Sequence, residues 1–337
     1  MQATYSIHNR RYLGNKSKVV PFIKSIVSEH CMGVESFVDI FAGTGVVASA
    51  FRELRLITND LLYSNYICNY AWFGAEKYSK RKVKSIIKRY NALTDCPSNY
   101  MSETFGNTYF SHNDCRKIGY IREDIESLFR KNEINFREKS VLIASLLYSM
   151  DRIANTCGHY DAYRQNVKLL DQLYLKPLDA PARNRKSNRC YNCDSNDLAK
   201  SIQADVVYID PPYNSRQYCD SYHLMENVAR WQKPEVQGVA KKMDRTHLKS
   251  NYCTRSATSS MRDLIESLNA KYILLSYNNM ADKGNSRSNA CISDKDIIEI
   301  LSAKGKVKIF SVDHKAFSTG KSEILDHQER LFLCIVN

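Results

Sequence analysis

The sequence lacks a long apolar stretch. Its longest largely apolar run covers residues 141–147, whereas a transmembrane helix needs about 20 such residues. The first residues are polar and basic and do not form the apolar core of a secretory signal peptide. Internal repeats and low-complexity tracts are also missing. We therefore expect a cytoplasmic protein that has no membrane partner.

A regular cysteine framework is missing as well. The 11 cysteines are irregularly spaced, and a chain of 337 residues does not need disulfides for stability. Cys190 and Cys193 form one C-x-x-C pair, but a structural zinc site would require a second pair or histidines at short spacing. We expect reduced thiols and no metal ion.

Acidic residues are too few to balance the basic ones. The chain has 36 Asp and Glu against 49 Lys and Arg, which gives a net charge of +13. This charge is large for solubility alone, so the first partner to consider is a polyanion such as nucleic acid. The hydrophobic fraction of 43% is sufficient for a core.

The most informative segment is residues 206–213, which read VVYIDPPY. Four β-prone residues predict a buried strand of a parallel sheet, and the two prolines end it because neither can donate to a strand ladder. Asp210 therefore lies at the carboxyl end of a strand, where open α/β sheets bind their ligands. A carboxylate, carbonyl oxygens and the Tyr213 ring would suit a planar substrate with an amino group.

A second segment, residues 36–45, reads SFVDIFAGTG. An apolar strand leads into a glycine turn, and we expect a helix over residues 46–54, as in the first unit of a Rossmann-like sheet. The next predicted strand, residues 56–58, ends at Asn59 and Asp60. An acidic residue in this position commonly binds ribose hydroxyls.

Two further segments complete the pattern. Residues 10–18 read RRYLGNKSK and precede apolar residues at helical spacing, with Pro21 in the first turn. Residues 276–279 follow another predicted parallel strand and are expected to form a loop on the same rim as Asp210. Residues 307–312 and 331–336 read as two closing strands.

Together, YLGNK, FAGTG and DPPY resemble the motifs of the N6-adenine-specific DNA methyltransferases, in the class with Dam-like and restriction–modification enzymes. The motifs cover residues 10–215 in the order of that family. The resemblance implies an α/β, Rossmann-like sheet that binds S-adenosylmethionine and carries an inserted target-recognition region. It implies cofactor contacts by Tyr12, Lys16, Asp39, Phe41, Ala42, Gly43, Thr44, Gly45, Asp60, Asp194 and Asp210.

The same resemblance implies that Asp210, Pro211, Pro212 and Tyr213 are catalytic. Asp210 and the Pro211 carbonyl would each accept a hydrogen bond from the adenine amine, and Tyr213 would stack on the base. Because this amine is unreachable inside a duplex, the nucleotide must flip out. The expected partner is double-stranded DNA. We expect a monomer that works beside a cognate restriction endonuclease without a stable complex.

The chain is predicted to divide into a catalytic part, residues 1–70 and 190–337, and an inserted recognition region, residues 71–189. Residues 139–165 of the insertion are expected to pack on the core. Residues 77–89 include seven basic residues and no acidic one, with tyrosines nearby. Candidate DNA contacts are Lys80, Arg81, Lys82, Tyr160, Arg164, Asn214, Arg216 and Tyr218.

Other functions stay open at this point. Methylation of cytosine N4 or of adenine in RNA would use the same amine geometry, although aspartate before the prolines favours the adenine class. An inactive DNA-binding protein on the same scaffold would not need Asp210 or Asp60. A nicotinamide oxidoreductase is disfavoured because only 15 positions separate Gly45 from Asp60, where about 20 is usual.

Overall fold

The computed structural model of the chain describes residues 4–212, 216–278, 292–313 and 328–337. Nine strands are present in these ranges: β1 Ser36–Asp39, β2 Arg55–Asn59, β3 Arg189–Tyr191, β4 Gln203–Ile209, β5 Val236–Gln237, β6 Lys242–Met243, β7 Asn269–Asn278, β8 Gly305–Asp313 and β9 Gln328–Val336. Seven of them form one sheet in the order β3-β2-β1-β4-β7-β9-β8, and β5 pairs with β6 as a separate hairpin.

The sheet is parallel over its first five strands. β1 pairs in parallel with both β2 and β4, and β4 pairs in parallel with β7. β9 lies between β7 and β8 and is antiparallel to both. The expected α/β, Rossmann-like sheet is confirmed, and the two predicted closing strands are present as an antiparallel pair. The strand order also reverses between β1 and β4, which is the position where such sheets bind ligands.

Helices cover both faces of the sheet. Within the described ranges they are α1 Val20–His30, α2 Tyr63–Phe73, α3 Lys80–Asn91, α4 Tyr100–Phe105, α5 His112–Arg130, α6 Phe136–Ile153, α7 Ser195–Ala199, α8 Tyr218–Ser221, α9 His223–Arg230, α10 Ala257–Ser267 and α11 Asp294–Ser302. Local chemistry explains several starts: Pro21 lies in the first turn of α1, and Asn135 and Glu138 form a capping box at α6.

Alternation along β4 divides the core into two clusters. Tyr208 faces the side covered by α1, α2 and α6, where residues such as Ile23, Ile67 and Leu146 are buried. Val207 and Ile209 face the opposite side, which α10 and α11 cover. Because strands that are buried on both faces are rich in β-branched and aromatic residues, VVYI is a sequence typical of this central position.

Two local predictions were wrong. Residues 46–54 do not form a regular helix, because only a 3₁₀ turn, Ala48–Phe51, follows the glycine turn. Ser276 and Tyr277 do not lie in a loop either. β7 continues through Asn278 because β9 pairs with it as far as Glu329, so both side chains are buried in the sheet. Asn279 lies outside the described residues.

The predicted insertion contains α3 to α6. α6 packs along α2, and all its residues from Val141 to Met150 are buried. The assignment of residues 71–189 to target recognition stays a prediction. No helix in the described ranges is long and apolar enough to cross a membrane.

Candidate functional site

A cavity opens at the carboxyl edge of the sheet, above the ends of β1, β2 and β4. Four carboxyl side chains line it: Asp39 at the end of β1, Asp60 after β2, Asp194 after β3 and Asp210 after β4. Parallel strands bring their carboxyl ends to one edge, so residues that are far apart in sequence meet here. The site predicted from the strand ends is therefore a single cavity in the structure.

The glycine turn forms one wall of the cavity. Gly43 has a φ of +50°, and a Cβ there would lie 3.4 Å from Cε1 of Tyr12. Ala42, Gly43 and Thr44 all line the cavity. Gly45 has a different role, because its Cβ would lie 2.2 Å from Oδ1 of Asn69. Gly45 is required for close packing against α2, whereas Gly43 leaves room for a ligand.

Asp60 holds the glycine turn in place. One carboxylate oxygen accepts a hydrogen bond from the Gly43 N–H (2.8 Å) and the other accepts one from the Leu62 N–H (2.8 Å). Burial raises the pKa of Asp60 to about 6, against the effect of these hydrogen bonds. The carboxylate therefore shapes the site, and each oxygen keeps a lone pair for a further donor.

Asp39 has an unused oxygen atom in the cavity wall. Its Oδ1 is buried and has no hydrogen-bond partner among the described residues. Burial raises its pKa well above the usual value, and the neighbouring carboxylate of Asp210 adds to the effect. A buried carboxylate that lacks a donor favours binding of a cationic or N–H-bearing ligand group.

Asp210 forms part of a buried charged triad with Lys16 and Glu329. Nζ of Lys16 lies 3.2 Å from Oδ1 of Asp210 and 2.6 Å from Oε1 of Glu329. The side chains of Lys16 and Glu329 are only 7% and 4% exposed, and that of Asp210 is 17% exposed. Burial raises the pKa of Asp210 to about 7, with the ammonium of Lys16 opposing this rise and Glu329 adding to it.

Tyr12, which lines the cavity, stacks on two other tyrosines. The ring of Tyr12 lies 4.5 Å from that of Tyr222 and 5.2 Å from that of Tyr218. The hydroxyl of Tyr222 accepts a hydrogen bond from the Leu13 N–H, and the hydroxyl of Tyr218 donates to the Leu13 carbonyl. The stack thereby fixes the N-terminal segment against the segment that follows DPPY.

The wall next to β3 is formed by Asp194 and Tyr252. Asp194 caps α7 by accepting from the Asn196 N–H, and Tyr252 donates its hydroxyl to Oδ1 of Asn196. Tyr252 also meets the ring of Phe41 edge-on, at 5.1 Å between centroids. Both rings and the Asp194 carboxylate line the cavity. An aromatic wall with an exposed acid is suited to a flat nitrogen heterocycle.

Comparison with known sequences identifies the family. A model described as "D12 class N6 adenine-specific DNA methyltransferase" matches residues 12–284. The chain belongs to this family. The match includes the glycine turn, Asp60, Asp194 and Asp210.

Curated relatives agree with this assignment. The chain is 37% identical to modification methylase StsI of Streptococcus sanguinis over 90% of its length, and 31% identical to modification methylase LlaI of Lactococcus lactis subsp. lactis over 95%. It covers 47% and 53% of these two proteins, about half their length. It is also 30% identical to the type II methyltransferase M.NlaIII of Neisseria lactamica, over 94% of this chain and 95% of that protein.

The structure describes only part of the DPPY motif of this D12 family member. Pro211 is buried and Pro212 lines the cavity beside Asp210. Tyr213 and Asn214 lie outside the described residues. The next described residue, Arg216, has an exposed side chain whose Nε lies 3.6 Å from Oδ2 of Asp161.

The candidate DNA contacts do not share one surface. Tyr160 is 2% exposed and donates its hydroxyl to Asp151, so the structure places it in the core and not at a surface. Lys82 pairs with Glu138 at 3.0 Å. The first turn of α3 contains Lys80, Arg81 and Lys82. In the chain, α3 follows α2, an 11-residue helix that starts beside the cavity and is about 16 Å long.

Other candidates are closer to the site. Tyr218 lines the cavity within the tyrosine stack, next to the cofactor candidate Tyr12. Arg164 is exposed in the loop that follows Tyr160. Lys16 also lines the cavity, but its ammonium is directed at two carboxylates.

Several residues that build the site carry no recognisable signal in the sequence. Asn65 donates to the Tyr12 hydroxyl, and Asn69 donates to the Gly43 carbonyl. Glu226 accepts from the first two N–H groups of α2, at Tyr63 and Ser64. The i, i+4 spacing of Asn65 and Asn69 could have shown that they share a helix face. Glu226 and Glu329 are single acids without a motif.

Proposed function

We propose that the protein transfers a methyl group from S-adenosylmethionine to N6 of a flipped-out adenine in double-stranded DNA. The observation that carries this proposal is the position of Asp210, a mostly buried carboxylate on the floor of a cavity that the glycine turn encloses. Membership of the N6 adenine-specific family supports the choice of adenine. The net charge of +13 supports a polyanionic substrate.

The cavity residues fit S-adenosylmethionine. When bound, this cofactor supplies the methyl group from a sulfonium centre. The unpaired Oδ1 of Asp39 would receive one of its cationic groups. Space above Gly43 admits the ligand, and the wall of Phe41, Asp194 and Tyr252 would hold its adenine ring.

The chain's own groups account for activation of the target amine. Its lone pair is delocalised into the ring, so the nitrogen must be oriented and stabilised as it becomes positively charged. Asp210 can accept one N–H bond from it, and a carbonyl of the proline turn can accept the second. Acceptors fixed toward developing charge lower the barrier without further reorganisation. Asp210 need not be a strong base, because the methylated ammonium is itself very acidic.

Three finer proposals follow. Residues 71–189 would form the target-recognition region, with α6 packed on the catalytic core. The protein would act as a monomer in a bacterial or phage-infected cytoplasm. It would protect DNA beside a separate cognate endonuclease, in keeping with the modification methylases among its relatives.

We expect DNA treated with the protein and S-adenosylmethionine to contain N6-methyladenine and no N4-methylcytosine. The measurement is mass spectrometry of digested nucleosides, with a reaction that lacks the cofactor as the control. Parallel reactions use duplex DNA, single-stranded DNA and RNA of one sequence. Product in cytosine, or only in RNA, would contradict the proposal.

We expect S-adenosylmethionine to bind without metal, and Asp39→Asn to weaken its binding roughly 10- to 100-fold, as loss of one charge-assisted hydrogen bond typically does. Because the pKa of Asp39 is raised, binding of a cation must release its proton, so wild-type affinity should fall as pH is lowered. Isothermal calorimetry measures both effects. Asp197→Asn, on an exposed face of α7, is the matched control and should bind normally. Equal affinity of Asp39→Asn and the wild type would refute this role.

A further inference from the structure

Glu329 belongs to none of the motifs, yet it is directed into the catalytic site. It lies near the start of β9, and its carboxylate is 2.6 Å from Nζ of Lys16. The same Lys16 nitrogen is 3.2 Å from Asp210. Ser276, on the neighbouring strand β7, donates its hydroxyl to the Glu329 oxygen that Lys16 contacts. Glu329 is therefore held by two donors, and one of them, Lys16, is also the partner of Asp210.

The charges of this triad have a consequence for catalysis. With both carboxylates ionised and Lys16 protonated, the triad has a net charge of −1. Without Glu329 it would be neutral, and the ammonium would interact more strongly with Asp210. A carboxylate that is fully paired with an ammonium stabilises less of the positive charge that grows on a methylated amine. Lys16 makes its shorter contact with Glu329. The negative charge of Asp210 is therefore less fully paired and more available to the substrate amine.

We propose that Glu329 is a positioning residue for Asp210 that acts through Lys16. It holds the ammonium near Asp210 and offsets its charge, so that Asp210 faces the substrate as an oriented carboxylate. The inference rests on the proposed transfer to adenine N6, in which Asp210 contacts the amine.

Few other ionisable groups face Asp210 within the described ranges. Lys16 approaches from the N-terminal segment and Glu329 from β9. Asp39 interacts from the end of β1, and the Tyr208 phenol from β4. Glu329 adds to burial in raising the pKa of Asp210, and Lys16 lowers it. Removal of the Glu329 charge should therefore lower the pKa of Asp210.

The test is the pH dependence of kcat/KM, which reports groups of the free enzyme, in the wild type and in Glu329→Gln. In Glu329→Gln we expect the acid limb of the kcat/KM profile to shift to a pH about one unit lower than in the wild type. On the plateau, kcat should fall about tenfold, as loss of an indirect partner of a reacting group typically causes, while KM for DNA stays unchanged. Glu329→Asp retains the charge and should keep the limb near its wild-type position.

Ser276→Ala is a second test variant, which retains the charges of Lys16, Asp210 and Glu329. It removes the hydroxyl donor from Glu329, and we expect a smaller shift in the same direction. Glu299→Gln, in an exposed pair with Arg262, is the matched control for loss of one acid. Activity that falls evenly at every pH in Glu329→Gln and Ser276→Ala would indicate a purely structural role and would overturn the proposal.

A readout that needs no activity separates this inference from the proposed function. Titration of Asp210 contributes to the pH dependence of the unfolding free energy. A wild type that yields no N6-methyladenine would refute the proposed reaction. In that case the shift in the stability profile of Glu329→Gln still decides whether Glu329 acts on Asp210, and an unshifted profile would exclude it.

Discussion

Asp210→Ala is expected to lose methyl transfer by about 10²- to 10³-fold, the typical effect of removing one group aimed at developing charge. The variant should still fold, because Lys16 keeps its 2.6 Å contact with Glu329. DNA affinity should be nearly unchanged, since phosphate contacts supply most of it. Single-turnover methylation, gel-shift affinity and thermal melting are measured together.

Asp210→Asn sharpens this experiment. The amide keeps the shape and one acceptor oxygen but loses the negative charge, so its activity should lie between those of alanine and the wild type. If Asp210 only ended a strand, both variants would lose folding and DNA binding together. A stable and fully active Asp210→Ala protein would contradict the mechanism.

Lys16→Met is expected to lower the free energy of unfolding by about 3–5 kcal/mol at alkaline pH, since it leaves two buried carboxylates without their counterion. The side chains of Lys16 and Glu329 are less than 10% exposed and that of Asp210 is 17% exposed, so water can replace little of the interaction with the lost ammonium. Lys18→Met, two residues further along the same 3₁₀ turn and exposed, should change stability by no more than about 0.5 kcal/mol.

The loss should depend on pH in a definite direction. In the folded protein the pKa of Asp210 is already raised to about 7, above its unfolded value, and removal of Lys16 raises it further. A carboxyl group whose pKa is higher in the folded than in the unfolded protein destabilises the fold when it is ionised. This destabilisation is complete at pH values above the folded-state pKa and absent at pH values below the unfolded-state pKa. Urea unfolding should therefore show a large effect at about pH 8 and a smaller one at about pH 5. An equal loss at both would mean that Lys16 acts through packing.

The lining of the cavity could be predicted from the sequence where a strand ended in residues with restricted backbone conformations. The prolines after β4 placed Asp210 at the carboxyl edge, and the glycines after β1 marked the turn above it. These residues leave few alternatives for the chain, so their positions could be predicted. The two closing strands, β8 and β9, were also correctly predicted from two apolar runs.

Prediction failed where a residue's environment came from a distant segment. Tyr160 in a polar loop resembles an exposed residue, but Asp151 and Tyr109 draw it into the core. The pairing of Lys82 with Glu138 likewise cannot be read from the basic run around it, and the role of Lys82 as a phosphate contact stays a prediction. Glu329 is an ordinary strand residue until pairing with β7 sets it opposite Asn278 and its carboxylate contacts Lys16. Such contacts depend on tertiary pairing, which local patterns do not contain.

The position of β9 also determines when the site can exist during synthesis. This strand is made after β7 and β8 but is inserted between them, so a growing chain has a gap in its sheet until β9 leaves the ribosome. Lys16 lies near the start of the chain, and its partner Glu329 is 313 positions away. Their contact therefore cannot form until Glu329 has been synthesised. Nascent chains stopped before residue 328 should therefore lack the completed triad, and the catalytic site forms only when the last strand closes the sheet.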